Sequence, residues 1–261
     1  MEVIIRQTAK DAAKLTAKMI ANAINETPDL NLGLATGATM EPVYAELVQM
    51  NCAGKVDFKD VTTFNLDEYV GLSPNNKNSY RYYMDSNLFD KINIKKENTH
   101  LPNGLALNYD KEANNYEKMI NEAGGIDLQL LGIGNDGHIG FNEPISSLSS
   151  KTRVKVLTPE TYKQNCIYFN PPESMPKLAF TMGVGTILNS KQIIMLIIGK
   201  KKANIAAQAI EGPLTSMVTG SAIQAHKNVT VILDEDAASN LKMREYYDFA
   251  FKNNPKWQRY Q

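Results

Sequence analysis

His138 sits in a glycine-rich stretch, G-I-G-N-D-G-H-I-G-F-N-E-P at 132–144, with Asp136 before it and Glu143 after it. An imidazole held by carboxylates keeps one tautomer and gains basicity, which makes it a proton carrier near neutral pH. A merely hydrogen-bonded loop histidine is the plainer alternative, and the flanking acids argue against it. Gly132, Gly134 and Gly137 also match G-x-G-x-x-G, the dinucleotide fingerprint. That fingerprint opens a helix in an early strand–helix unit, whereas here Pro144 and turn-rich sequence follow in mid-chain. The glycines are therefore expected to bend the backbone so that Asp136, His138 and Glu143 meet. His100 and His226 have no such surroundings. With no cysteine partner or paired histidine at ligand spacing, a zinc deaminase of the H-x-E…P-C-x-x-C type is excluded.

Three other segments carry chemistry. N-L-D-E-Y at 65–69 sets Asp67 and Glu68 just after an apolar run. One of them facing a cleft is a candidate general base; a helix cap or a surface pair is the alternative. T-G-A-T-M at 36–40 is a small, hydroxyl-bearing turn running into a helix. Free N–H groups and the positive helix end make such a turn a phosphate seat, and a plain capped turn is an equal alternative. G-K-K-K at 199–202 places Lys200, Lys201 and Lys202 where a helix begins. Cations there oppose the helix dipole at roughly 0.3–1 kcal/mol each, so an anion is expected nearby. For Lys200 and Lys201 a solvated basic surface stays open.

These loops need elements to carry them. Strands are predicted at 30–35, 61–65, 127–133, 192–198 and 228–234, and helices at 8–24, 41–50 and 201–210. Continuous apolar strands separated by amphipathic helices indicate a parallel sheet covered on both faces. The expected fold is α/β: a three-layer, mostly parallel, doubly wound, Rossmann-like sheet. In such sheets ligands bind beyond the carboxyl ends of the strands. All four loops follow predicted strands, so they are expected to gather around one cleft. At 261 residues and 43% hydrophobic content, a single domain over 1–261 is expected. Pro171, Pro172 and Pro176 mark an irregular stretch, and a lid is expected around 153–182.

Lysine plus arginine equals aspartate plus glutamate, 28 against 28, which gives no support for nucleic-acid binding. The start, M-E-V-I-I-R-Q-T, lacks the pattern of a secretory signal, and the apolar run at 193–198 is far too short to span a membrane as a helix. Cys52 and Cys166 form neither a disulfide framework nor a metal-ligand cluster. The sequons at Asn25 and Asn228 mean little without export. A cytoplasmic enzyme is the expectation.

Together L-G-L-A-T-G, F-N-L-D-E-Y-V-G-L, G-N-D-G-H-I-G-F-N-E-P and T-M-G-V-G-T closely resemble the glucosamine-6-phosphate deaminase family, nearly end to end from about residue 32. The related phosphogluconolactonases share the fold and a similar G-x-D-G-H loop, without being expected to carry both N-L-D-E-Y and F-N-E-P. The resemblance implies an amino sugar catabolic enzyme, both isomerase and deaminase, that opens the sugar ring, moves a proton from C2 to C1 and releases ammonia. His138 would assist ring opening, with Asp136 and Glu143 orienting it, and Asp67 would take the C2 proton. The phosphate would rest on Thr36, Gly37, Ala38, Thr39 and Lys202. No metal or organic cofactor is implied, and no nucleic acid or membrane partner. Ser146, Arg153 and Lys155 match positions that bind N-acetylglucosamine 6-phosphate in allosteric members, which are hexamers; the exposed face of a strand is the alternative for the two cations.

Two departures stand out. The family turn T-G-G-T-P reads T-G-A-T-M here, and Ala38 adds a Cβ and disfavours positive φ. The segment N-x-R-[FY]-F reads N-C-I-Y-F, with Ile167 in place of a phosphate-clamping arginine. Lys163 would substitute if its stretch is helical and near the cleft. A higher KM or a shifted substrate is expected. Galactosamine 6-phosphate as substrate and a weakly active sugar-phosphate sensor are the competing readings.

Overall fold

Seven strands lie side by side, all parallel, at the centre of the computed structural model, which describes residues 1–169 and 174–260. They are β1 (Glu2–Arg6), β2 (Asn31–Leu34), β3 (Thr62–Asn65), β5 (Thr99–His100), β6 (Leu128–Leu131), β9 (Gln192–Ile197) and β10 (Val229–Asp234). A second sheet, antiparallel and three-stranded, holds β4 (Asp67–Tyr69), β7 (Arg153–Val156) and β8 (Leu178–Thr181). The longer helices are α1 (Ala9–Glu26), α2 (Glu41–Cys52), α3 (Tyr80–Asn87), α4 (Tyr109–Glu122), α5 (Pro159–Asn165), α6 (Val184–Leu188), α7 (Ala203–Glu211) and α8 (Arg244–Asn253).

The apolar strands predicted from sequence form the middle of the large sheet. Every residue of β10 is buried. Successive side chains point to opposite faces, so both faces of the sheet are covered there. α1 starts where Thr8 accepts a hydrogen bond from the Asp11 N–H, as its N-cap chemistry dictates. β1 pairs with β10 at one edge and carries no sequence signal of its own, its five residues being too few to show a period.

The strand order, β1-β10-β9-β6-β2-β3-β5, contains the feature that locates a site. From β2 the chain winds outward to β3 and β5; from β6 it winds the other way, to β9 and β10. The reversal falls between β2 and β6, which are neighbours. Loops leaving the carboxyl ends of two such strands part company, and the gap between them is where α/β sheets bind ligands. The four chemistry-bearing loops follow β9, β6, β2 and β3, which are adjacent strands in that order.

The small sheet is the main departure from the sequence expectation. Glu68 and Tyr69, expected in a loop, pair with β8 through Glu68↔Phe180 and Tyr69↔Ala179. The expected lid at 153–182 begins and ends in paired strands, since β7 and β8 are hydrogen-bonded partners. Between them lies α5; Pro171 and Pro172 fall outside the described residues. The helix predicted at 201–210 starts later, at Ala203, because Lys200–Lys202 form a single 3-10 turn before it.

Candidate active site

A cleft of about 230 Å³ opens at the point of reversal, and all four loops line it: Thr36, Gly37, Ala38 and Thr39, then Asp67, His138 and Lys202. The sequence-predicted convergence is thus met. Asp136 and Glu143 stand behind His138. Tyr80 from α3, Phe141, and Thr161, Gln164 and Asn165 from α5 complete the wall. Phe141 belongs to the glycine-rich stretch already singled out, but the other four do not stand out in the sequence; only the spacing of 161, 164 and 165, one face of a helical turn, carries a signal.

The glycines do what the bend requires. A Cβ on Gly134 would come within 2.4 Å of the His138 ring, so only glycine leaves room for the imidazole. Gly137 has φ of 90°, a left-handed conformation that lets the loop double back. The Asp136 Oδ1 accepts the His138 backbone N–H at 3.2 Å and lies 2.6 Å from the ring Nδ1, while Glu143 Oε2 lies 3.2 Å from the same nitrogen. Both carboxylates close on the same ring nitrogen, and each favours the charged imidazole by hydrogen bonding and then by charge. Burial pulls the imidazole down, but Asp136 and then Glu143 outweigh it, and its pKa rises to about 9. Asp136 moves the opposite way: burial raises it, the imidazole more than compensates, and it settles at about 2. His138 is thus an imidazolium at pH 7, with Nε2 unpartnered among the described residues.

Asp136, His138 and Glu143 also form the group whose donor atoms, within 4.8 Å of one another, could hold a metal ion. Tetrahedral ligands about 2.0–2.2 Å from a zinc ion stand roughly 3.4 Å apart. The 2.6 Å approach of Nδ1 to Asp136 fits a shared proton better.

Asp67 sits across the cleft, 6% exposed, and its carboxylate accepts no hydrogen bond from the described residues. Burial first, then the charge of Glu68, raises its pKa to about 8; His138 pulls in the other direction. The site therefore pairs a carboxyl of raised proton affinity, at the start of β4, with a charged imidazole in the loop after β6. Glu68 turns away from the cleft, as strand alternation requires.

At the other end the 36–39 turn offers backbone N–H groups. Those of Gly37, Ala38 and Thr39 make no hydrogen bond among the described residues. Gly37 takes φ of 106°, and Tyr83 Oη fixes its carbonyl at 2.9 Å. Ala38 does not carry positive φ: Ile145 is the single non-glycine residue that does among those described, so the backbone objection to alanine does not arise. Lys202 donates to the Ile133 carbonyl at 2.7 Å, and burial lowers its pKa to about 8. Lys200 turns outward to Ser239, and Lys201 is exposed. Lys163 lies on helical α5, as its substitution would need, but it lines a neighbouring hollow with Asp136 and Pro144 rather than this cleft. Ile167 is 72% exposed and is not part of the cleft wall.

Ser146, Arg153 and Lys155 stand outside the cleft around the same loop. Arg153 donates to Asn142 Oδ1 at 2.8 Å, and Ser146 N–H donates to the Glu143 carbonyl at 3.1 Å. Ser146 is buried and its hydroxyl lacks a partner among the described residues. Burial lowers the pKa of both Arg153 and Lys155.

A family profile described as glucosamine-6-phosphate isomerases/6-phosphogluconolactonase matches residues 5–232. A glucosamine-6-phosphate deaminase of Shewanella woodyi is 45% identical over 256 residues, 98% of this chain and 97% of that protein. Another from Hahella chejuensis is 47% identical, covering 95% of this chain and 94% of its own length. Among solved structures, a monomeric glucosamine-6-phosphate deaminase superposes with a TM-score of 0.90 at 42% identity, covering 92% of this chain and 100% of that one. A 6-phosphogluconolactonase from Trypanosoma cruzi, at 21% identity and TM-score 0.73 over 92% of this chain and 97% of its own, shares the fold.

Proposed function

The chain belongs to the family of glucosamine-6-phosphate isomerases and 6-phosphogluconolactonases, and within it we propose that it converts glucosamine 6-phosphate and water to fructose 6-phosphate and ammonia. The observation that carries this reading is that Asp67 and His138, two proton carriers of opposed charge preference, share one cleft with a phosphate seat. Aldose–ketose isomerisation needs proton transfers at different atoms, and two separately tuned groups supply them.

The phosphate rests on the N–H groups at 37–39 and on Lys202, with Thr36 and Thr39 hydroxyls at the rim. Ring opening removes the proton from O1 and delivers one to the ring oxygen. His138 donates the latter as the C1–O5 bond breaks and, left neutral, takes the O1 proton, ending the step as an imidazolium, while Asp136 and Glu143 stabilise and orient its ring. Asp67 then takes the C2 proton while His138 returns one to the C1 carbonyl oxygen, leaving an enolamine, and Asp67 delivers its proton to C1. Water adds to the resulting C2 imine, and ammonia departs to leave the ketose. The chemistry asks for no metal or organic cofactor. Aspartate, histidine and glutamate present in working geometry speak against a silent sensor. Measuring ammonia release from glucosamine 6-phosphate and from its C4 epimer tests the reading; release from the epimer alone reassigns the substrate.

Further features extend this proposal. Residues 157–169, bounded by β7 and carrying α5, act as the cover of the single domain. Ser146, Arg153 and Lys155 form a regulatory anion site for N-acetylglucosamine 6-phosphate between subunits of a homo-oligomer, a hexamer or smaller. Its support is physical: Lys155 feels the charge of Glu143, and Glu143 touches His138. No helix among the described residues is long and apolar enough to cross a membrane. A phosphorylated amino sugar is an intracellular metabolite, and the cytoplasm is the setting this reading implies.

A further inference from the structure

Glu68 is a buried carboxylate, 3% exposed, next in sequence to the base Asp67 and pointing to the other face of β4. The mechanism above makes no use of it. Its surroundings are nevertheless built with care. Oε1 accepts the N–H groups of Tyr69 at 2.8 Å and Tyr80 at 3.0 Å, and Oε2 accepts that of Arg81 at 2.9 Å. Tyr80 and Arg81 are the first two residues of α3, whose Ser79 cap satisfies the N–H of Tyr82. Glu68 and Ser79 thus share the work of satisfying the unpaired donors that any helix start exposes.

What that helix start carries matters. Tyr80 lines the cleft, its ring stacked on Phe141 at 6.0 Å between centroids and 14° between planes. Its hydroxyl lies 3.4 Å from that of Tyr69, which accepts a hydrogen bond from Asn165 of α5 at 3.1 Å. One carboxylate therefore fixes the backbone beneath a chain that runs from the cleft wall to the covering helix.

We propose that Glu68 is a positioning residue of the reaction: from behind β4 it anchors the first turn of α3, so holding Tyr80 in the cleft wall, and sets a second carboxylate beside Asp67. The inference rests on the function proposed above. Its electrostatic half follows from placement. Asp67 is faced by His138 from the loop after β6, by the hydroxyls of Tyr44, Tyr80 and Tyr116 from three helices, and by Tyr69 and Glu68 on its own strand. Glu68 brings the one negative charge in that set. Arg81 and His100 share the hollow on Glu68's side, yet neither forms an ion pair with it among the described residues. Burial raises the Glu68 pKa to about 7, and its backbone hydrogen bonds limit the rise. Three backbone N–H donors hold its charged form, and that charge lies on the strand next to Asp67.

The test is the pH profile of kcat for Glu68→Gln and Glu68→Asp, together with carbon-13 carboxyl NMR titration of Asp67 in each. The glutamine variant loses the charge and turns an amide donor toward the Arg81 N–H. Its acid limb, and the Asp67 titration, are expected to move down by roughly one pH unit. Its kcat is expected to fall about tenfold, with KM within about threefold of the parent, because the loss is one of alignment. The aspartate variant keeps the charge, gives up reach and loses kcat without moving the limb. An unmoved limb in the glutamine variant, or a shift in the aspartate variant equal to that of the glutamine variant, overturns the proposal. A merely structural Glu68 would lower thermal stability and leave both titrations where they were. If the parent enzyme releases no ammonia, the function fails, and the NMR titration still judges the coupling of Glu68 to Asp67.

Discussion

Asp67 carries an energetic contradiction that makes it testable in two ways. The proposed reaction uses Asp67 to remove the C2 proton, a task that a group without basicity cannot perform, so Asp67→Asn is expected to lower kcat at least about a hundredfold. A near-normal rate removes it from that role. The same burial that raises its pKa to about 8 opposes folding of the charged form. A carboxyl with a raised folded pKa contributes most below its unfolded value, and that contribution is lost as pH climbs to the folded one. Asp67→Asn is therefore expected to raise Tm, by at least about 2 °C at pH 8, with a smaller gain at pH 5. His138, raised to about 9, has the same sign: its contribution holds below its ordinary pKa and disappears toward pH 9. Asp136, held at about 2, contributes above the ordinary carboxylate range and loses that contribution as pH falls toward 2. In activity, kcat/KM is expected to climb through pH 8 as Asp67 ionises and to drop through pH 9 as the imidazolium is lost, a narrow bell. A profile flat from pH 6 to 10 contradicts these assignments.

At the scale of elements, the central strands and the loops that follow them were legible because long apolar runs and glycine-rich turns are strong local signals. Residues 192–198 could scarcely be anything but a buried strand. The small sheet was not legible: β4 has three residues, and its pairing with β8 joins residues over a hundred apart in sequence. Tyr80, Gln164 and Asn165 escape a sequence reading for the same reason, since their place in the cleft depends on where α3 and α5 dock. The loop after β6 makes a sharp prediction at this scale. Gly134→Ala drives a Cβ into the His138 ring, and kcat is expected to fall at least tenfold while the phosphate end keeps its affinity for inorganic phosphate within about twofold. Ile167 offers a second. It sits in the turn after α5, two residues beyond the cleft residue Asn165 and outside the wall. Arginine there is expected to reach back and lower KM for glucosamine 6-phosphate roughly tenfold, the worth of a charge-assisted bond. An unchanged KM means that the 36–39 turn and Lys202 hold the phosphate without help from that position.

Across the whole molecule, the reversal of winding between β2 and β6 decides where chemistry can happen, and it brings residues 37, 67, 138 and 202 to one place. The regulatory proposal belongs to this scale too. Added N-acetylglucosamine 6-phosphate is expected to shift the substrate saturation curve, and an unmoved curve removes Arg153 and Lys155 from regulation. The account as a whole turns on one assay: the purified chain mixed with glucosamine 6-phosphate at pH 8, with ammonia and fructose 6-phosphate followed together. Equal amounts of the two products, formed at the same rate and slowed at least about a hundredfold in Asp67→Asn, are the predicted result. Absence of ammonia, or ammonia without the ketose phosphate, contradicts it.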